Sequence, residues 1–108
     1  MRYVIDIDGT LCTNSDGYYE KAQPYPKRIQ MVNRFHAAGH VIVLYTARGM
    51  GRFSSKRKAE KEFRKLTESQ LKKWGVSYTE LQFGKPSADF YIDDKGMSAD
   101  EFFASTKY

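Results

Sequence analysis

The sequence predicts an α/β fold, and three observations carry that expectation. A β-branched run, YVIDI, ends in two acids. A near-continuous apolar run, Val41 to Tyr45, follows a stretch of helical periodicity, and a second, longer helical stretch separates it from a third apolar segment, TELQF. Strands alternating with helices pair in parallel through right-handed crossovers, and the unbroken second run suits a strand buried on both faces. The expected architecture is a three-layer, Rossmann-like sandwich, a mostly parallel sheet of about four strands with helices on both faces. A chain of 108 residues suffices for one domain, 1–108, and is too short for two.

Taken in order, Tyr3 to Ile7 alternates and reads as the first strand, with Gly9 and Thr10 turning the chain at its end. Residues 12–26, CTNSDGYYEKAQPYP, are rich in Asn, Ser, Asp, Gly and Pro and show no period. They read as a flap loop, and loops of that length inside a compact domain are usually functional. After Pro26, Ile29, Val32, Phe35 and Ala38 recur at helical spacing before Gly39, giving a helix over Lys27 to Ala38. RGMGRFSS reads as a loop. A long helix then starts near Ser55, with Ala59, Phe63, Leu66, Gln70, Leu71 and Trp74 on one face, and ends at Gly75. Thr79 to Phe83 is a third strand, GKPSA a turn, and Asp89 to Asp93 a fourth strand. Ser98 with Glu101 forms a capping box for a terminal helix.

No apolar stretch approaches the roughly 20 residues of a bilayer span, and the N-terminus turns acidic too early for a secretory signal, so a soluble, cytoplasmic protein is expected. The single cysteine, Cys12, fits a reducing compartment and reads as a packed thiol. The net charge of +5 is uneven: from Arg48 to Trp74 there are ten Lys and Arg against three acids. A basic helix of this kind is most often a solvated face, and it also suits phosphorylated substrates or nucleic acid.

Open parallel sheets bind ligands at the carboxyl ends of their strands. By that rule Asp6 and Asp8, Thr46 with Arg48, Lys85, and Asp93 with Asp94 converge on one edge. Two carboxylates about 4 Å apart repel by several kcal/mol even at an effective dielectric near 20, so four at one edge call for a cation. Hard oxygen ligands with room for water and a phosphate oxygen suit Mg²⁺ better than zinc.

These residues resemble the motifs of the haloacid dehalogenase superfamily. DIDGTL at 6–11 is similar to its first motif, Thr46 to its second, Lys85 to its third and the Asp93–Asp94 pair to its fourth. YTARGM, and GKP running into FYIDD, further resemble small capless phosphatases encoded among capsule and surface-polysaccharide genes. The resemblance implies a phosphoric monoester hydrolase with a HAD-like fold and no cap domain. Asp6 would be the nucleophile that forms an aspartyl-phosphate, and Asp8 the acid/base. Thr46, Ala47, Arg48 and Lys85 would hold the phosphate. Asp6, the Asp8 main-chain carbonyl, Asp93 and Asp94 would surround Mg²⁺. Lys85 sits in a turn and not at a helix start as in many relatives, which leaves Lys95 as a fallback.

Without a cap, the pocket is either open or closed by another subunit, so a homo-oligomer is expected. Tyr18 and Tyr19 in the flap read as stacking or interface residues, His36 and His40 as groups that satisfy helix carbonyls, and Phe63 and Trp74 as core. The leading reading is a Mg²⁺-dependent phosphatase of a sugar phosphate or related metabolite. A polynucleotide end phosphatase using the basic helix 55–74 is the second, and a non-catalytic, receiver-like phospho-Asp module the third.

Overall fold

The computed structural model describes residues 1–105. Its elements are β1 (Arg2–Ile5), α1 (Pro26–Ala37), β2 (Val41–Thr46), α2 (Met50–Phe53), α3 (Lys56–Lys73), β3 (Glu80–Phe83) and α4 (Ala99–Ser105), with a single 3₁₀ turn at Tyr19–Lys21 in the flap. No described helix is long and apolar enough to cross a membrane.

The strands form one parallel sheet in the order β1-β2-β3, with Val4 beside Val43 and Leu44 beside Leu81. β1 ends two residues earlier than its sequence suggests. The Ile7 carbonyl already accepts from the Thr10 and Leu11 amides at 3.1 and 2.8 Å, so the chain is turning where the alternation still reads as extended. Pro26 opens α1 at a position where its missing N–H costs nothing. Ser55 caps α3 by accepting from the Lys58 amide, and the capping box before α4 forms, with Ser98 Oγ accepting from Glu101 N at 3.1 Å. Within RGMGRFSS, read as loop, one helical turn forms as α2.

Each crossover advances one strand in the same direction, and right-handed crossovers that do so lay their helices on the same face. Accordingly Leu81 and Phe83 are buried toward α3 while Glu80 and Gln82 are exposed. Tyr3 stacks on Phe35 of α1 and meets Phe102 of α4. Ile5, Ile7, Leu11, Ile29, Val32, Ile42, Leu44 and Leu71 fill the layer between. On the opposite face Val43 is buried, an Arg2–Glu80 pair bridges β1 and β3 at 3.5 Å, and Val4 is 61% exposed. The α/β parallel architecture is thus as expected, but the described residues give three strands and one helical layer where about four strands and two layers were anticipated. The fourth strand, Asp89 to Asp93, does not form: residues 84–98 contain neither helix nor strand, and residues 86–98 are exposed.

Gly49 sits at φ +80, where a Cβ would stand 2.8 Å from the Phe63 ring and 2.9 Å from the Ala59 Cβ; at Gly39, φ +95, a Cβ would meet nothing. Gly39→Ala should cost about 1–2 kcal/mol from backbone strain alone. Gly49→Ala should cost about 1–3 kcal/mol more, because it also overpacks the α3 contact. Urea denaturation of the two variants checks the difference.

Candidate active site

The three strands end at one rim, and that rim is a cleft of about 510 Å³ lined by Asp6, Asp8, Ala47, Arg48 and Lys85, by the flap residues Asn14 to Gly17 and Tyr19, and by Phe63 and Tyr91. Its size is ordinary for a small-molecule site.

Asp6 lies just past the end of β1 and is partly buried. Lys85 Nζ stands 3.5 Å from its Oδ1, and Thr10 Oγ1 donates to Oδ2 at 3.3 Å. Burial pushes the Asp6 carboxyl above its ordinary value, opposed chiefly by the Lys85 ammonium and a hydrogen bond from the Ile7 backbone. Lys85 reaches the site from the turn after β3 because its amide donates to the Thr46 carbonyl at 3.2 Å, which fixes its backbone against β2. Lys95 is exposed and does not line the cleft, whereas Lys85 does.

Asp8 has a different partner. Arg48 donates Nε to Oδ2 at 2.8 Å and Nη2 to Oδ1 at 3.0 Å, a two-pronged pair in which the arginine side chain is wholly buried and the carboxylate 18% exposed. The remaining Arg48 nitrogen, Nη1, donates to Thr67 Oγ1 at 3.0 Å and Gln70 Oε1 at 2.6 Å, both on α3. Tyr19 of the flap lies under the guanidinium at 4.8 Å, and its carbonyl accepts from Gln70 Nε2 at 2.6 Å. Every Arg48 donor group is therefore turned inward. This corrects the expectation that Arg48 contacts phosphate: the guanidinium is occupied by Asp8 and α3. Sequence alone missed Thr67 and Gln70, whose only signal is a polar residue on the apolar face of α3.

Thr46 is buried, and its hydroxyl accepts from the Arg48 amide at 3.1 Å, so it shapes the loop instead of lining the cleft. Ala47 does line it. Tyr18 is exposed beneath Lys21, whereas Tyr19 is packed edge-on against Phe63 and its hydroxyl accepts from the Gly49 amide. His40 Nδ1 meets the N-terminal amine at 2.9 Å, and its backbone amide donates to the Phe35 carbonyl at the end of α1 at 3.1 Å. On α3, Lys58, Lys61, Lys65 and Lys72 are exposed, and Arg64 pairs with Glu60 and Glu68.

Asp93 and Asp94 are placed apart from this group. Both are exposed and neither lines the cleft. Asp93 turns back on its own loop, accepting from the Lys95 and Gly96 amides, which hold its carboxyl below the usual range. The strand expected to carry the pair to the rim is absent, and that is the reason for the displacement.

No family model and no curated protein matches the sequence. Among solved structures, an MCSG target protein from Vibrio cholerae is 31% identical over 98% of this chain and 89% of its own, with a TM-score of 0.88. The D,D-heptose 1,7-bisphosphate phosphatase of B. bronchiseptica, solved with magnesium and phosphate, shares the fold at 18% identity and TM-score 0.54, over 82% of this chain and 51% of that one. A chain of a Pnkp1/Rnl/Hen1 complex shares it at 20% identity and TM-score 0.58, over 85% and 30%. The chain belongs to the haloacid dehalogenase superfamily.

The superfamily's first and third motifs, around Asp6 and at Lys85, meet in this cleft as the sequence anticipated. Its fourth does not, and this decides whether the expected Mg²⁺ fits. Among the described residues no three His, Cys, Asp or Glu side chains gather as an ion site. Asp6 is neutralised by Lys85 and Asp8 by Arg48. One chain alone does not offer the ion a fitting ligand set.

Two outcomes follow from the Arg48 cluster. Arg48→Met leaves Asp8 without its partner and two α3 acceptors, Thr67 Oγ1 and Gln70 Oε1, without their donor, and should destabilise the protein by about 3–5 kcal/mol in urea denaturation. Cys12 is wholly buried, 3.5 Å from Asp8 Oδ1, and burial with that negative charge pushes its thiol up to about 12. It should resist alkylation by iodoacetamide in the native protein and react only on denaturation, as followed by mass spectrometry.

Proposed function

We propose that the protein is a phosphoric monoester hydrolase that works through an aspartyl-phosphate on Asp6, with a sugar phosphate or related small metabolite as substrate. The observation that carries this reading is the placement of two carboxylates with unlike partners in one cleft: Asp6 beside the Lys85 ammonium, Asp8 gripped from behind by Arg48. In the first step an Asp6 oxygen bonds to phosphorus as the ester P–O bond breaks, and the leaving alkoxide takes a proton from Asp8. In the second, water gives a proton to Asp8 and its oxygen bonds to phosphorus, while the bond to Asp6 breaks and phosphate departs. Lys85 lies where it offsets charge on the phosphoryl oxygens. Arg48 acts as a positioning residue that keeps Asp8 in one orientation.

The bounded cleft favours a small substrate over a polymer. Ser15, at its flap wall, keeps its hydroxyl buried with no hydrogen-bond partner among the described residues. The resemblance of YTARGM and GKP…FYIDD to phosphatases of surface-polysaccharide gene clusters supports a sugar phosphate. The exposed lysines of α3 support the second reading, a polynucleotide end. Binding of a 5′-phosphorylated oligonucleotide that weakens steeply with salt would favour it.

Wild-type protein should release phosphate from p-nitrophenyl phosphate and from some members of a sugar-phosphate panel, and Asp6→Asn should reduce kcat by at least about 10³. Unchanged turnover in Asp6→Asn rejects the mechanism.

The nucleophile must be ionised, and its folded carboxyl binds a proton at higher pH than the ordinary 3.8. As pH rises, Asp6 is therefore freed for attack later than an exposed carboxylate would be. In metal-free protein, ¹³C NMR should show the Asp6 side chain titrating above 3.8. Lys85→Met removes the main opposing charge and should move that midpoint further up.

A further inference from the structure

Three cations line the cleft, and two of them are already matched. Lys85 Nζ stands 3.5 Å from Asp6, and the Arg48 donors are turned to Asp8, Thr67 and Gln70. The third is Arg52 of α2, which is exposed and whose guanidinium meets no hydrogen-bond acceptor among the described residues. Asp16 of the flap also lines the cleft but makes no ion pair with it.

Arg52 is held by rings and not by a counter-charge. Its guanidinium carbon lies 5.6 Å from the Phe63 ring and 5.9 Å from the Phe53 ring. Phe63 is itself fixed: Tyr19 meets it edge-on at 4.9 Å, and Gly49 leaves it room that a Cβ would take away. The backbone is pinned likewise. Gly49 donates its amide to the Tyr19 hydroxyl, and its carbonyl accepts from the Arg52 amide at 3.2 Å. α2 ends at Ser54 with φ +51, a left-handed conformation that non-glycine residues adopt rarely, so the helix stops after one turn. Ring contacts orient a guanidinium without consuming its in-plane N–H donors, whose fork matches the edge of a carboxylate or phosphate.

The same contacts place Arg52 relative to the reacting atoms. The Tyr19 ring lies 4.8 Å from the Arg48 guanidinium, and Arg48 grips Asp8. Two rings, Tyr19 and Phe63, thus link Arg52 to the carboxylate that meets the leaving oxygen, and the body of the leaving alcohol extends beyond that carboxylate. A cleft of about 510 Å³ is roughly 10 Å across if compact, enough for a phosphorylated sugar with a group at each end. We propose that Arg52 is a specificity-determining residue that binds a second acidic group on the leaving alcohol, so that the substrate is a small phosphate monoester carrying a carboxylate or a further phosphate. The orientation, with the reacting phosphate at Asp6 and the second anion at Arg52, rests on the phosphatase reading; the affinity of Arg52 for the second anion does not.

Glucose 1-phosphate, glucuronic acid 1-phosphate and glucose 1,6-bisphosphate differ only at the far carbon, which carries a hydroxyl, a carboxylate or a phosphate. Isothermal titration calorimetry of the wild-type chain should show at least one of the two acidic ligands bound about tenfold or more tighter than glucose 1-phosphate, the scale of a hydrogen bond to a charged group. Which of them gains separates a carboxylate from a phosphate as the second anion. Arg52→Gln should shrink that preference to about twofold or less, and Arg52→Lys should keep part of it, with the far-UV circular dichroism of both variants as in wild type. Where the esters are turned over, the same loss should appear as a raised KM for the acidic ligand. Equal binding of the three ligands, binding of none, or a preference that survives Arg52→Gln overturns the proposal. So does an equal loss for all three in Arg52→Gln, which puts the arginine at the reacting phosphate. A preference abolished by Arg52→Gln, with no turnover of any phosphate ester, upholds the subsite and rejects the phosphatase reading; turnover with no preference does the reverse.

Discussion

The Arg48–Asp8 pair is the interaction on which the rest of the site depends. Burying a guanidinium is costly unless every donor group finds an acceptor, and here the acceptors come from separate parts of the chain: Asp8 after β1, and Thr67 and Gln70 on α3. Gln70 then hands the link on to the flap through the Tyr19 carbonyl, and the Tyr19 ring closes over the cation. One side chain from the β2 loop thus registers the first loop, the flap and the long helix against each other. The cleft lies between those parts, so its shape is set by the same contacts that stabilise the fold. The geometry also separates the two acids, since Asp8 is drawn toward α3 while Asp6 stays with Lys85 at the rim.

The sequence showed the strand and helix periods, because each strand or helix expresses a local period and burial follows it. It also showed which residues stand at strand ends, so the meeting of Asp6, Asp8 and Lys85 was legible. The role of Arg48 was not. Composition marks an arginine after a strand as an anion binder, but whether it faces outward depends on acceptors nineteen and twenty-two residues later on α3, which a pattern cannot aim. The early end of β1 was hidden for a similar reason: Ile7 keeps the alternation while its carbonyl already serves a turn. The fourth strand was legible as a strand pattern and illegible as to partner, since pattern sets which faces are apolar and topology sets which edge is within reach.

The single helical layer belongs to the same constraint. With β1, β2 and β3 advancing in one direction, right-handed crossovers place α1 and α3 together, and a helix reaches the other face only after the chain reverses past β1. Five residues, Gly84 to Ala88, follow β3 before the next strand-like segment, too few for a crossover helix. The face without a helix and the open edge are therefore one consequence of a short connection. Val4 on β1, and Phe90 and Ile92 in the segment after β3, are all left exposed.

Charge explains why the missing carboxylates stay away from the lone cleft. Asp6 and Asp8 are matched there by Lys85 and Arg48, so the site is balanced as it stands. Bringing Asp93 and Asp94 to the rim adds two negative charges beside a carboxylate that burial already pushes toward its protonated form. At the roughly 4 Å spacing of shared ligands each added charge repels Asp6 by several kcal/mol at an effective dielectric near 20. A divalent cation returns the sum to balance.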